Sequence, residues 1–128
     1  MILLDTCILV DLDKYALDPN QEYSVSILSR AELEFGIRKA DTPERSANRI
    51  VKLADLDSSY KWLVFDEASS RAYGEIAAGA TATGAKIRGK DALIAAQAYR
   101  IGAGVMTENL ADFKPFEKYI QILPPTLK

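Results

Sequence analysis

Four acids stand at the ends of short apolar runs or at the starts of helical patterns, in a chain with no His. Asp5 directly follows Ile2-Leu3-Leu4, and Glu32 lies about one turn into the segment after Val25-Ser26-Ile27-Leu28. Asp91 opens the pattern Ala92 to Ile101, and Asp112 closely follows Gly104-Val105-Met106. A carboxylate straight after a buried apolar run costs energy unless something compensates it. Several carboxylates converging on one place also repel and raise one another's pKa. A hard divalent cation resolves that conflict, because Mg²⁺ takes oxygen ligands, often one or two carboxylates directly, with waters and substrate phosphate around them. The absence of His and the single Cys exclude imidazole triads, His-based acid–base chemistry, His- or Cys-cluster zinc sites and histidine-driven RNA cleavage. An all-oxygen Mg²⁺ or Mn²⁺ site is the metal chemistry such a composition supports.

Each acid also has a local reading. Asp5 and Asp91 suit helix N-caps. Ser29-Arg30-Ala31-Glu32 matches a capping box, in which Glu32 bonds back to the backbone. Asp112 suits a turn before Phe113. Glu34, two residues beyond Glu32, faces elsewhere on a helix and reads as surface. Asp11 and Asp13 read as solvated residues ending the first helical segment, and Tyr60, Trp62 and Phe65 as core or interface.

The elements that must position the acids follow from the periodicity. A length of 128 residues predicts a single domain over 1–128. Short apolar runs at 2–4, 25–28, 63–65, 104–106 and 120–123 read as buried strands, the last stopped by Pro124-Pro125. Between them Thr42-Pro43 starts a helix, with Ala47, Ile50, Val51 and Ala54 on its apolar face. Asp66 caps another helix toward Gly84, and Gly102 ends the one opened near Asp91. Strands alternating with helices predict an α/β fold with a mainly parallel sheet covered on both faces. Sites in such sheets form beyond the carboxyl ends of the strands, where these acids stand. The net charge of −2 and the lack of a signal-like or membrane-spanning start predict a cytoplasmic protein with no membrane contact. Local basic excesses, Lys86, Arg88, Lys90 and Arg100 in one stretch and Arg30 to Lys52 in another, are either phosphate contacts or solvated helix faces.

The segments Met1-Ile-Leu-Leu-Asp5-Thr6, Ala31-Glu32-Leu33-Glu34-Phe35-Gly36, Asp91-Ala-Leu-Ile-Ala-Ala96 and Thr107-Glu-Asn109-Leu-Ala-Asp112-Phe113 together resemble a PIN domain of the VapC toxin type, from Met1 to about Pro124. The resemblance implies a three-layer α/β/α fold and a Mg²⁺- or Mn²⁺-dependent ribonuclease. Asp5, Glu32, Asp91 and Asp112 match the family's acidic quartet, which implies that they hold the metal. Thr107 and Asn109 match its polar pair, and Thr6 matches the residue that orients the first acid. The resemblance further implies an RNA substrate (tRNA or ribosomal RNA), a VapB-like antitoxin partner, a homodimer, and DNA contact only through the antitoxin. Three positions depart from the pattern. Cys7 replaces a common Ser and reads as packing. Glu108 stands where a basic residue is frequent, and Asn109 where other branches have Asp. A phosphoacceptor receiver domain and an inactive PIN-like scaffold are the alternative readings. The receiver needs an acid pair after the first strand, where this chain has Asp5-Thr6.

Overall fold

The computed structural model describes residues 1–128. Strand β1 (Ile2–Leu4) leads through Asp5 into helix α1 (Thr6–Val10), then a short strand β2 (Tyr15–Ala16). Next come β3 (Tyr23–Ser26), α2 (Ile27–Lys39), α3 (Pro43–Ser59), β4 (Trp62–Leu63), α4 (Glu67–Ala82) and α5 (Gly89–Ile101). The chain ends with β5 (Gly104–Met106), the single turn α6 (Leu110–Phe113), β6 (Ile122–Leu123) and β7 (Thr126–Leu127). Five strands form a fully parallel sheet in the order β4-β3-β1-β5-β6. No helix is long and apolar enough to cross a membrane.

The period of two along each strand divides the core. Leu3 and Val105 pack with the Ala-rich faces of α4 and α5 on one side of the sheet. Leu4, Val25 and Met106 pack with Ile8, Leu9 and Leu56 on the other. Small residues such as Ala92, Ala95, Ala96 and Ala98 let α5 lie close to the sheet and to α4. Both faces are covered, as the parallel pairing requires.

Several boundaries differ from the sequence reading. Residues 25–28 split, because β3 ends at Ser26, whose hydroxyl caps α2 by accepting from the Leu28 N–H at 3.0 Å. The capping box therefore does not form, and Glu32 is left to face the site. Asp91 is not an N-cap: α5 begins two residues earlier, after Arg88. The face of α3 carrying Ala47, Ile50, Val51 and Ala54 points outward, while Leu53 and Leu56 make its core contact. Beyond Pro125 the chain forms β7, which pairs antiparallel with β2. Thr42 and Asp66 cap α3 and α4 as expected, and Gly102 ends α5 with φ 70°.

Candidate active site

The parallel ladder fixes the strand ends that carry the polar residues. The Asp5 N–H donates to Met106 O at 3.0 Å, and the Thr107 N–H to Leu123 O at 3.0 Å. Asp5 and Thr107 therefore leave adjacent strands side by side. The Thr107 hydroxyl, fully buried, donates to Asp5 Oδ2 at 2.8 Å and accepts from the Asn109 N–H at 2.9 Å. Asp5 Oδ1 accepts the Thr6 N–H at 2.8 Å, so Asp5 caps α1 and faces the cleft at once. Cys7 Sγ lies 3.5 Å from Asp5 Oδ2 and 3.6 Å from Thr107 Oγ1. Cys7 packs against the core as expected and also lines the cleft, and burial together with the Asp5 charge pushes its thiol pKa up.

Helices α2, α5 and α6 bring Glu32, Asp91 and Asp112 to the same place. Asp5, Glu32, Asp91 and Asp112 line one cleft of about 240 Å³ with Arg88 and Lys90. Thr6 and Asn109 also face it. The Thr6 hydroxyl donates to Glu32 Oε1 at 2.9 Å and shares a 2.8 Å hydrogen bond with Ser29, so it orients the second acid, while its backbone holds the first. Lys90 Nζ donates to Glu32 Oε2 at 2.8 Å. Arg88 reaches both Asp91, at 3.8 Å, and Asp112, at 3.3 Å. Asp91 is only 7% exposed. Burial first, then the charges of Asp5 and Asp112, raise its pKa above the ordinary carboxylate value, with Arg88 and Lys90 opposing. Lys90, hydrogen-bonded to Glu32, is shifted upward and stays charged.

The quartet thus shares a cleft, although no three of its members stand together as a ready-made ligand cluster. The donor set still fits a hard divalent ion that takes one or two carboxylates directly and reaches the rest through water. Asp91 has only a long ion pair, and Asp5 keeps unused lone pairs beside Thr107 and Thr6.

Residues outside the cleft are accounted for by other contacts. Glu34 pairs with Arg30 and Arg38, and Asp57 takes Arg30 and the Trp62 N–H. Arg45 is held by Asp41, and Lys52 by Asp11. Much of the basic excess over 30–52 is therefore engaged within the chain, and Arg88 and Lys90 are the cations at the acids. Glu108 turns away from the cleft and accepts from the buried Tyr15 hydroxyl. Asp66 lies outside the cleft, capping α4 and paired with Arg100 at 3.2 Å, and the one Lys after β6, Lys128, follows β7 and hydrogen-bonds through its N–H to Lys14 O, outside that cleft. A receiver-type phosphoacceptor site is absent. Of the basic stretch 86–100, Arg88 and Lys90 reach the cleft; the pairing of Lys90 with Glu32 is the contact that the sequence did not indicate.

The sequence pattern of the PIN domain family matches residues 2–117. Over 111 residues, 84% of this chain and 85% of the relative, the sequence is 28% identical to Ribonuclease VapC4 of Mycobacterium tuberculosis. The crystal structure of VapBC2 from Rickettsia felis bound to a promoter DNA fragment superposes with a TM-score of 0.83 at 26% identity, covering 98% of this chain and 99% of that one. VapBC-1 from nontypeable Haemophilus influenzae shares the fold at a TM-score of 0.78 and 24% identity, covering 97% of this chain and 98% of that one.

Proposed function

The chain belongs to the PIN-domain family, and from that premise we propose that residues 1–128 form one PIN domain acting as the VapC-type ribonuclease toxin of a toxin–antitoxin pair. The observation that carries this reading is the convergence of Asp5, Glu32, Asp91 and Asp112 on one cleft at the carboxyl ends of the strands. Asp5 and Asp91 would hold Mg²⁺ or Mn²⁺ directly, with Asp112 and Glu32 completing the shell through water. When bound, such an ion lowers the pKa of water and neutralises charge on a phosphodiester. The chain's own groups prepare that event. Thr107 and the Thr6 N–H lock Asp5, the Thr6 hydroxyl locks one oxygen of Glu32, and Arg88 spans Asp91 and Asp112. Asn109, held through its N–H, presents its amide to a phosphate oxygen. Water attacks in line, leaving a 3′-hydroxyl and a 5′-phosphate, with tRNA or ribosomal RNA as target and loss of translation as the result.

The partner is a VapB-like antitoxin, a reading supported by the VapBC structures among its structural neighbours. The exposed Phe35, Ile50 and Val51 offer apolar surface for it or for a second copy in a homodimer. DNA contact would come through the antitoxin, and the pair would work in the cytoplasm. The test is cleavage of RNA by the wild type and by Asp5→Asn, with Mn²⁺ and with chelator. Cleavage only by the metal-supplied wild type is expected; activity surviving either loss removes the metal mechanism.

A further inference from the structure

Lys90 occupies a place in the cleft that the quartet alone does not explain. It stands in the first turn of α5 beside Asp91, yet its side chain crosses to α2, 58 residues away in sequence, and donates to Glu32 Oε2 at 2.8 Å. The other Glu32 oxygen already accepts the Thr6 hydroxyl at 2.9 Å. Both Glu32 oxygens therefore hold donors from this chain, whereas Asp91 has only an ion pair at 3.8 Å. The charge balance points the same way. Four carboxylates and the two cations Arg88 and Lys90 line the cleft, which leaves two negative charges. One divalent ion balances that remainder and two would overfill it.

We propose that the Lys90 ammonium is a built-in cation of the active site: it holds Glu32, takes the place of a second divalent ion, and faces the phosphate of the substrate, so that this chain works with one metal. The inference rests on the metal-dependent ribonuclease reading above. An exposed ion pair with a merely structural role contributes little, so the two roles separate cleanly.

The experiment is calorimetric titration of Mn²⁺ into the wild type, Lys90→Met, Lys90→Arg and Lys61→Met, with cleavage of a fluorophore–quencher single-stranded RNA measured on the same samples. Lys61 is an exposed lysine just before the amino end of edge strand β4 and controls for net charge. The wild type and Lys61→Met are expected to bind one Mn²⁺ per chain and cleave equally. Lys90→Met keeps much of the aliphatic stem but loses the charge. It is expected to take up a second Mn²⁺, to cleave about 100-fold more slowly at low Mn²⁺, and to recover as Mn²⁺ rises. Lys90→Arg retains one ion and most of the cleavage. A wild type that binds two ions overturns the proposal. A wild type that binds and cleaves, with Lys90→Met indistinguishable from it, overturns the role of Lys90 alone. A wild type that binds no Mn²⁺ and cleaves no RNA overturns the ribonuclease reading, and this inference with it.

Discussion

Thr107→Val tests whether the buried hydroxyl holds the site together. Val has nearly the same shape, so the change opens no cavity. It removes the donor to Asp5 Oδ2 at 2.8 Å and the acceptor for the Asn109 N–H at 2.9 Å. A hydrogen bond to a charged group contributes about 1.5–3 kcal/mol, while the N–H of the exposed Asn109 can turn to water. The expected loss is thus about 1.5–3 kcal/mol, a large part of the ~5–15 kcal/mol that stabilises a domain. In a chain of this length that lowers the melting temperature by about 5–10 °C. Urea unfolding with an unchanged m-value is the assay, with Thr107→Ser as the control that keeps the hydroxyl. Because Asp5 loses its orientation, Mn²⁺ affinity should also fall by about 10-fold or more. A Thr107→Val chain within about 0.5 kcal/mol of wild type would refute the reasoning. So would a Thr107→Ser loss as large as that of Thr107→Val, which would assign the effect to the methyl group.

Three further outcomes follow from the same geometry. Asp91 has a raised folded-state pKa, so its ionised form costs stability above that pKa, and the cost disappears as pH falls toward the unfolded value near ~4. Metal-free Asp91→Asn should therefore be more stable than wild type at neutral pH, with the difference in urea midpoint shrinking on acidification. Mn²⁺ should raise the melting temperature of the wild type, by about 2.7 kcal/mol of added stability at 100 times its Kd, and a calorimetric scan should find that gain missing in Asp5→Asn. Gln97, fully buried, accepts from the Ser26 hydroxyl and donates to Leu63 O at 3.1 Å, tying α5 to the ends of β3 and β4. Gln97→Leu leaves the Ser26 O–H without its acceptor and Leu63 O without this donor, and should cost about 1–3 kcal/mol in urea unfolding, with cleavage per folded molecule retained.

The acids were legible because each stands at a chemical boundary. Asp5 and Thr107 end apolar strands, and a polar residue there must face either solvent or a site. The parallel order of the sheet then brings those ends together, which alternation of strands and helices predicts. The outward stripe of α3 was misread because Ala47, Ile50, Val51 and Ala54 carry the same spacing as a core face. Periodicity reports an apolar face and not what covers it. Ser26 rather than Ser29 caps α2 because β3 ends there, a property of pairing with β1 and β4 that residues 25–32 alone do not show. Strand β7 is two residues long and pairs with β2 across most of the chain, so no local pattern announces it. The Lys90–Glu32 pair depends in the same way on how α5 meets α2.

The central claim is that carboxylates and a divalent ion, with no imidazole, hydrolyse an RNA phosphodiester with water as nucleophile. Mapping the ends of the products made by the wild type in Mn²⁺ tests it most directly. Attack by water leaves a 3′-hydroxyl on one fragment and a 5′-phosphate on the other, with cleavage stopped by chelator. A 2′,3′-cyclic phosphate would contradict it, because that product requires attack by the RNA's own 2′-hydroxyl.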